Sequence, residues 1–122
     1  MLAIGTDIIE IDRIRGAYER YGKLFLDRIF TEEEQAYALS KKNPFPSLAV
    51  RFAAKEAVAK AFGCGIGPEL HWKSISIRTA PNGRPTVLLD PQAQALLTAL
   101  GGTEVLISLS HTHVLAQAVA LL

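Results

Sequence analysis

Residues 51–63, Arg-Phe-Ala-Ala-Lys-Glu-Ala-Val-Ala-Lys-Ala-Phe-Gly, constrain this chain more than any other stretch. Helix formers fill the interior, and Gly63 supplies the left-handed residue that ends a helix. On a helical wheel Ala54, Ala57, Val58, Ala61 and Phe62 gather on one side, so the segment predicts one helix with its alanine-rich side laid on a sheet. Glu56 and Lys60 lie together away from that side, four residues apart, and Arg51 with Lys55 makes a second such pair expected on the polar surface. A Glu–Lys pair at this spacing is ordinarily a solvated one contributing about 0.2–0.5 kcal/mol. A functional site on this helix therefore needs partners from elsewhere.

The nearest candidate partner is Asp7. Residues 2–9, Leu-Ala-Ile-Gly-Thr-Asp-Ile-Ile, read as a strand with Leu2, Ile4, Thr6 and Ile8 on one face and Ala3, Gly5, Asp7 and Ile9 on the other. A carboxylate in the middle of an apolar strand is disfavoured, and burying its charge is costly unless it is paired or coordinated. Asp7 is either a strand-end residue bonded to local backbone or a functional acid.

The remaining chain supplies helices and hairpins. Asp12 is the expected cap of a helix to Tyr21 that stops at Gly22. Thr31-Glu32-Glu33-Glu34 is a capping box opening a helix to about Lys41. Asn43-Pro44-Phe45-Pro46 breaks the chain, and Ser47 is expected to cap the central helix. The three glycines among residues 63–67 follow a helix, whereas nucleotide-binding glycine loops open one, so this stretch reads first as a connection, and second as backbone able to approach a phosphate. Residues 73–79 and 86–89 form a hairpin about Pro81-Asn82-Gly83-Arg84-Pro85. Asp90-Pro91 opens a helix ending at Leu100, and strands follow at 104–110 and 114–122 around the turn His111-Thr112-His113. The order β-ααα-ββ-α-ββ predicts a single α+β domain over residues 1–122, an antiparallel sheet against a long central helix.

With 122 residues and a formal net charge of +1, nothing in the whole molecule calls for nucleic acid or a membrane. Cys64 is the one cysteine, which fits a reducing compartment, and no secretory leader or membrane span is evident, so a cytoplasmic protein is expected. Charge is local instead. Across residues 12–28, Arg13, Arg15, Arg20, Lys23 and Arg28 outnumber Asp12, Glu19 and Asp27, a basic patch able to steer an acidic partner. His111 and Thr112 read equally as an ordinary polar turn or as groups facing a cleft, since Ser110-His111 in sequence is no catalytic triad.

These pieces match one pattern in the same order. Ile4-Gly5-Thr6-Asp7-Ile8 with Arg13-Ile14, Phe30-Thr31-Glu32-Glu33-Glu34, Arg51 through Ala57, Lys60-Ala61-Phe62-Gly63, Asn82-Gly83-Arg84-Pro85 and Ser108 through His113 carry it. On these segments the chain resembles the holo-acyl-carrier-protein synthase group of 4′-phosphopantetheinyl transferases over essentially its whole length. Cys64 stands where threonine is more usual in that group, a departure that touches no catalytic role.

The resemblance implies transfer of phosphopantetheine from coenzyme A to a serine of an apo acyl carrier protein, releasing adenosine 3′,5′-bisphosphate. It implies that Asp7 and Glu56 ligate Mg²⁺ with the pyrophosphate, that Lys60 reaches the pyrophosphate, and that Glu56 or a water on the metal is the candidate base. Arg51, Asn82, His111 and Thr112 would hold the nucleotide end, with Gly63 allowing close backbone approach. Arg13 and Arg20, helped by Lys23, would dock the acidic helix of the carrier. A homotrimer with sites between subunits, serving fatty-acid synthesis, is also implied. The competing expectation is a non-catalytic module that binds coenzyme A or an acidic carrier on the same scaffold. The intact set Asp7, Glu56 and Lys60 counts against it, because a binding module needs no metal pair.

Overall fold

A computed structural model describes residues 2–122. Strand β1 (Ile4–Glu10) leads without a loop into helix α1 (Ile11–Tyr21), followed by α2 (Lys23–Ile29), α3 (Glu32–Leu39) and α4 (Phe45–Phe62). A short 3-10 turn at Trp72–Ser74 precedes β2 (Ile75–Thr79) and β3 (Pro85–Leu89). Then come α5 (Pro91–Ala99), β4 (Leu106–His111) and β5 (Leu115–Leu121). The α+β class and the expected antiparallel pairing are borne out. One element is additional: the segment after Gly22 is itself a helix, so four helices rather than three separate β1 from β2. Gly22, at φ 58°, serves as the C-cap of α1 and the N-cap of α2, a corner that a glycine takes without steric cost.

The main sheet runs β1-β5-β4, all antiparallel, and β2-β3 forms a separate hairpin. Asp7 lies opposite Ala118, and Ala118 opposite Leu109, so the inner face of the sheet is set by the parity of Gly5, Asp7 and Ile9. That face packs on α4. The opposite face carries Ile4, Thr6 and Ile8, beside Leu121, Val119 and Gln117 of β5.

Helix α4 is buried nearly all round. Leu48, Ala53, Ala54, Ala57, Val58 and Ala59 are inaccessible to solvent. Alanines make this possible, because their small side chains let strands and neighbouring helices approach the helix backbone from several directions. At Gly5 the approach leaves no room at all. A Cβ there would come 2.7 Å from the Ala61 nitrogen and closer still to the Ala57 carbonyl oxygen, both in the α4 backbone. Gly5 is thus the seat on which β1 meets α4, two residues before Asp7.

Several local expectations are corrected. α4 starts at Phe45, with Pro46 in its first turn, where a missing N–H is no loss. Ser47 therefore lies inside the helix, and its Oγ accepts from Arg51 instead of capping. Asp12 does not cap α1 either: Glu10 holds that position without a side-chain cap bond, and Asp12 sits in the first turn, 3.5 Å from Arg15 Nε. The capping box of α3 and the Asp90 cap of α5 form as expected.

The largest correction concerns Lys55. It is not on a polar surface but fully buried, 2.7 Å from an equally buried Glu34. Lys55 Nζ also donates to the carbonyls of Trp72 and Ile75. Glu34 accepts from the backbone nitrogens of Thr31 and Ile77, so one carboxylate closes the α3 cap and ties α3 to β2. Burial lowers the Lys55 pKa from its ordinary value while the Glu34 charge opposes the shift. Every polar group of the pair has a partner, the condition under which a buried ion pair is tolerated.

Candidate active site

Two clusters of expected site residues lie along α4. The first joins Asp7, Glu56 and Lys60. Strand pleating turns Asp7 toward α4 because it shares the parity of Gly5, and the tight Gly5 contact brings β1 close enough for Lys60 to reach it. Lys60 Nζ lies 3.0 Å from Asp7 Oδ1 and donates to the Thr6 carbonyl oxygen at 3.0 Å. Its ion-pair partner is thus across the layer, not the solvated i−4 neighbour that spacing alone suggested. Burial, and after it the Asp7 charge, holds the Glu56 carboxyl above its ordinary range, against the lowering pull of Lys60. The Asp7 carboxylate is thus held by an ion pair across the layer, to Lys60, instead of by a bond to local backbone.

Two carboxylates do not make a closed metal site, and no group of three or more His, Cys, Asp or Glu side chains suited to a metal occurs among the described residues. They do suit Mg²⁺, a hard cation usually held by one or two carboxylates with phosphate oxygens and water completing its shell. The Glu56 carboxyl is raised chiefly by burial, with the Asp7 charge adding to the shift and Lys60 opposing it.

α4 ends directly after this cluster. Gly63 takes the left-handed conformation at φ 85°, its N–H donating to the Lys60 carbonyl. A glycine here stops the helix one turn beyond Lys60 and leaves the following backbone uncovered, with no atom near where a side chain would stand.

The second cluster surrounds Arg51, nine residues before Lys60 and so roughly 13 Å away along the helix axis. Arg51 is buried, against expectation. Its Nη1 donates to Ser47 Oγ at 2.8 Å and its Nη2 to Thr79 Oγ1 at 2.9 Å, while the guanidinium stacks over the Tyr37 ring at 4.3 Å. Burial pulls its pKa below the ordinary arginine value, with Glu34 and Tyr37 acting the other way. Its buried Nε has no partner. Tyr37, Lys41, Ser47, Arg51 and His111 line a cleft of about 320 Å³. A neighbouring hollow of about 250 Å³ is lined by Arg15, Asn43, His111, Thr112 and His113. His111 and Thr112 therefore face clefts. They also shape their own turn, since Thr112 Oγ1 accepts from the nitrogens of Val114 and Leu115.

Asn82 stands apart from both clusters, at the exposed tip of the β2–β3 hairpin, its Oδ1 accepting from the Arg84 nitrogen. The hairpin does reach Arg51 through Thr79 at the end of β2. Arg13 and Arg20 are exposed on α1, as a docking face requires. Beside them an apolar hollow of about 680 Å³ opens between Ala17, Tyr21, Leu24, Phe25 and Trp72. Sequence reasoning missed Tyr37 and Lys41 as neighbours of Arg51. It also missed Lys55, although a helix with small residues on every face is the mark of one buried all round.

Comparison with known proteins identifies the family and agrees with the fold. The sequence model of the 4′-phosphopantetheinyl transferase superfamily matches residues 3–118. A holo-[acyl-carrier-protein] synthase of Chlamydia trachomatis is 54% identical over 121 residues, covering 99% of this chain and 98% of that protein. The crystal structure of the corresponding synthase of Neisseria meningitidis superposes with a TM-score of 0.91 at 34% identity, covering 98% of this chain and 96% of that one. That of Helicobacter pylori, in complex with coenzyme A, gives a TM-score of 0.85 at 32% identity, covering 96% of both chains. Site and fold together with these matches show that the chain belongs to the 4′-phosphopantetheinyl transferase superfamily, within its holo-acyl-carrier-protein synthase group.

Proposed function

We propose that the chain moves the 4′-phosphopantetheine arm of coenzyme A onto a serine hydroxyl of an apo acyl carrier protein, in the cytoplasm and with Mg²⁺. The observation that carries this reading is the convergence of Asp7, Glu56 and Lys60 across the β1–α4 contact. The serine oxygen forms a bond to the phosphorus bearing the pantetheine arm. The bond from that phosphorus to the bridging oxygen breaks, and adenosine 3′,5′-bisphosphate leaves with the electron pair. Asp7 and Glu56 would hold the metal, which supplies charge neutralisation on the phosphate oxygens as the bond order changes. Lys60 reaches the leaving phosphate from the helix end. Glu56 would be the side chain that takes up the serine proton. Arg51, His111 and Thr112 in their clefts, with Asn82 on its hairpin and the open backbone at Gly63, bind the nucleotide end. The unpartnered Arg51 Nε supports a role in anion binding.

The rest of the assignment concerns partners. Arg13 and Arg20 dock the acidic face of the carrier, whose apolar side chains suit the hollow beside them. The two clusters stand apart on one helix, which favours a site completed by another copy of the chain. The outer sheet face supports the same idea: Ile4 and Ile8 are 64% and 59% exposed where an antiparallel sheet ordinarily presents polar groups to water. A homotrimer of single-domain chains of residues 1–122 fits both, and fatty-acid synthesis is the natural use of such an enzyme. The test is intact-mass spectrometry of an apo carrier incubated with the protein, coenzyme A and Mg²⁺. One added phosphopantetheine is expected, lost with chelator and with Glu56→Ala. Full transfer by Glu56→Ala overturns the reading.

A further inference from the structure

We propose that Lys60 is a built-in counter-ion that occupies the metal's side of Asp7 until a pyrophosphate draws it away, so that divalent metal and coenzyme A bind cooperatively. This rests on the reading of Asp7 and Glu56 as the metal pair. Lys60 Nζ takes up Asp7 Oδ1 and the Thr6 carbonyl oxygen, both at 3.0 Å. An ammonium in hydrogen-bond contact with a carboxylate oxygen denies that oxygen to a cation, and adds a positive charge next to any metal that arrives. The lysine is free to leave. Its side chain is 53% exposed against 17% for Asp7, so the carboxylate is fixed in the layer and the lysine lies on its outer side. Four methylenes give the ammonium reach, and it makes equally good bonds to phosphate oxygens.

The consequence is a linkage among three partners. With no nucleotide bound, metal must displace Lys60 from Asp7, and the displaced ammonium keeps only the Thr6 carbonyl oxygen and water. With a pyrophosphate present, Lys60 moves to the phosphate, and Asp7 is released to the metal. Each ligand therefore strengthens the other by the same factor, as reciprocity demands. The protein discourages idle loading with metal in the absence of its substrate.

The test uses the full chain with Mn²⁺, an oxygen-seeking probe, titrated with and without saturating coenzyme A and followed by electron paramagnetic resonance. Wild-type protein is expected to bind Mn²⁺ about tenfold more tightly with coenzyme A, within the usual range of coupling. Lys60→Met is expected to bind Mn²⁺ about tenfold more tightly than wild type without coenzyme A, and so to show a smaller coupling than wild type. Lys60→Arg keeps the ion pair and is expected to retain the weak coenzyme-free affinity. Thermal melts of each variant establish that it is folded. Equal coenzyme-free affinities of wild type and Lys60→Met overturn the counter-ion role while leaving the metal pair intact. Undiminished Mn²⁺ binding by Asp7→Asn with coenzyme A overturns the metal pair itself, and the counter-ion role with it.

Discussion

Gly5→Ala probes whether the β1–α4 contact sets both stability and chemistry. The added Cβ would lie 2.7 Å from the Ala61 nitrogen, with the Ala57 carbonyl oxygen nearer still. Non-bonded heavy atoms settle at roughly 3.5 Å, so β1 must retreat from α4 by about 0.8 Å or more. Both obstructing atoms belong to helix backbone, which cannot rotate aside like a side chain. The cost therefore falls at the upper end of the overpacking range, about 3 kcal/mol. For a chain of this size that is a fall of roughly 10 °C in Tm. Asp7, two residues along the same strand, moves with Gly5, while Glu56 and Lys60 stay on α4. A misplacement of about 1 Å at a reacting centre costs on the order of 100-fold in rate. Differential scanning calorimetry gives the first number, and the mass assay run well below the melting range gives the second. Gly16→Ala is the control. Its Cβ meets nothing within 4 Å on an exposed face of α1, so the helix gains about 0.5–1 kcal/mol, the opposite sign to Gly5→Ala. Wild-type stability and rate in Gly5→Ala refute the close-approach argument. Lost stability with wild-type rate in the folded fraction refutes only its link to the site.

The other predictions are narrower. Glu34→Ala leaves Lys55 buried without a counter-charge and is expected to cost about 3–5 kcal/mol in urea denaturation, whereas replacing both by apolar residues of similar volume costs far less. Glu56→Gln is expected to abolish transfer yet stabilise the metal-free fold at neutral pH. Because Glu56 holds its proton more tightly folded than unfolded, stability is greatest below the ordinary value of 4.5 and falls as pH rises through the raised folded pKa. The Tm advantage of Glu56→Gln should therefore grow from pH 4.5 to pH 7, and a pH-independent difference refutes the assignment. Arg13→Glu with Arg20→Glu is expected to raise KM for the carrier at least tenfold with little change in kcat, and to flatten the dependence of KM on salt. Unchanged KM places the carrier elsewhere.

How much of this was legible depended on whether a residue's role was local. The cap at Thr31 and Glu34 and that at Asp90 are written in spacings of three residues, and both form. Asp7 announced itself because a charge in an apolar strand needs a reason. Helix α2 was missed because Gly22 is a stop signal, and nothing nearby says that the same glycine also starts a helix. Lys55 was misplaced since a charge next to another charge on a helix is ordinarily solvated. Its partner lies 21 residues earlier, and Glu34 already had a visible task in its cap. The separation of Arg51 from Lys60 was implicit in their numbers, but the clefts at His111 depend on which strand lies beside which.

That strand order also bears on how the molecule is made. β5, the last strand, is the middle of the main sheet, bonded on one side to β1 and on the other to β4. Until Leu121 has been synthesised, β1 has no neighbour, and the alanine-lined side of α4 has no complete sheet to lie on. Helices α1 to α4 can form as they emerge, because their bonds are local. The sheet cannot, and pairing Ile4 with Leu121 closes almost the entire length of the chain. Such remote closure is slow compared with helix formation, so the sheet is expected to form only once β5 has emerged. In that interval the apolar inner faces of β1 and α4 are open to chaperones and to other nascent copies.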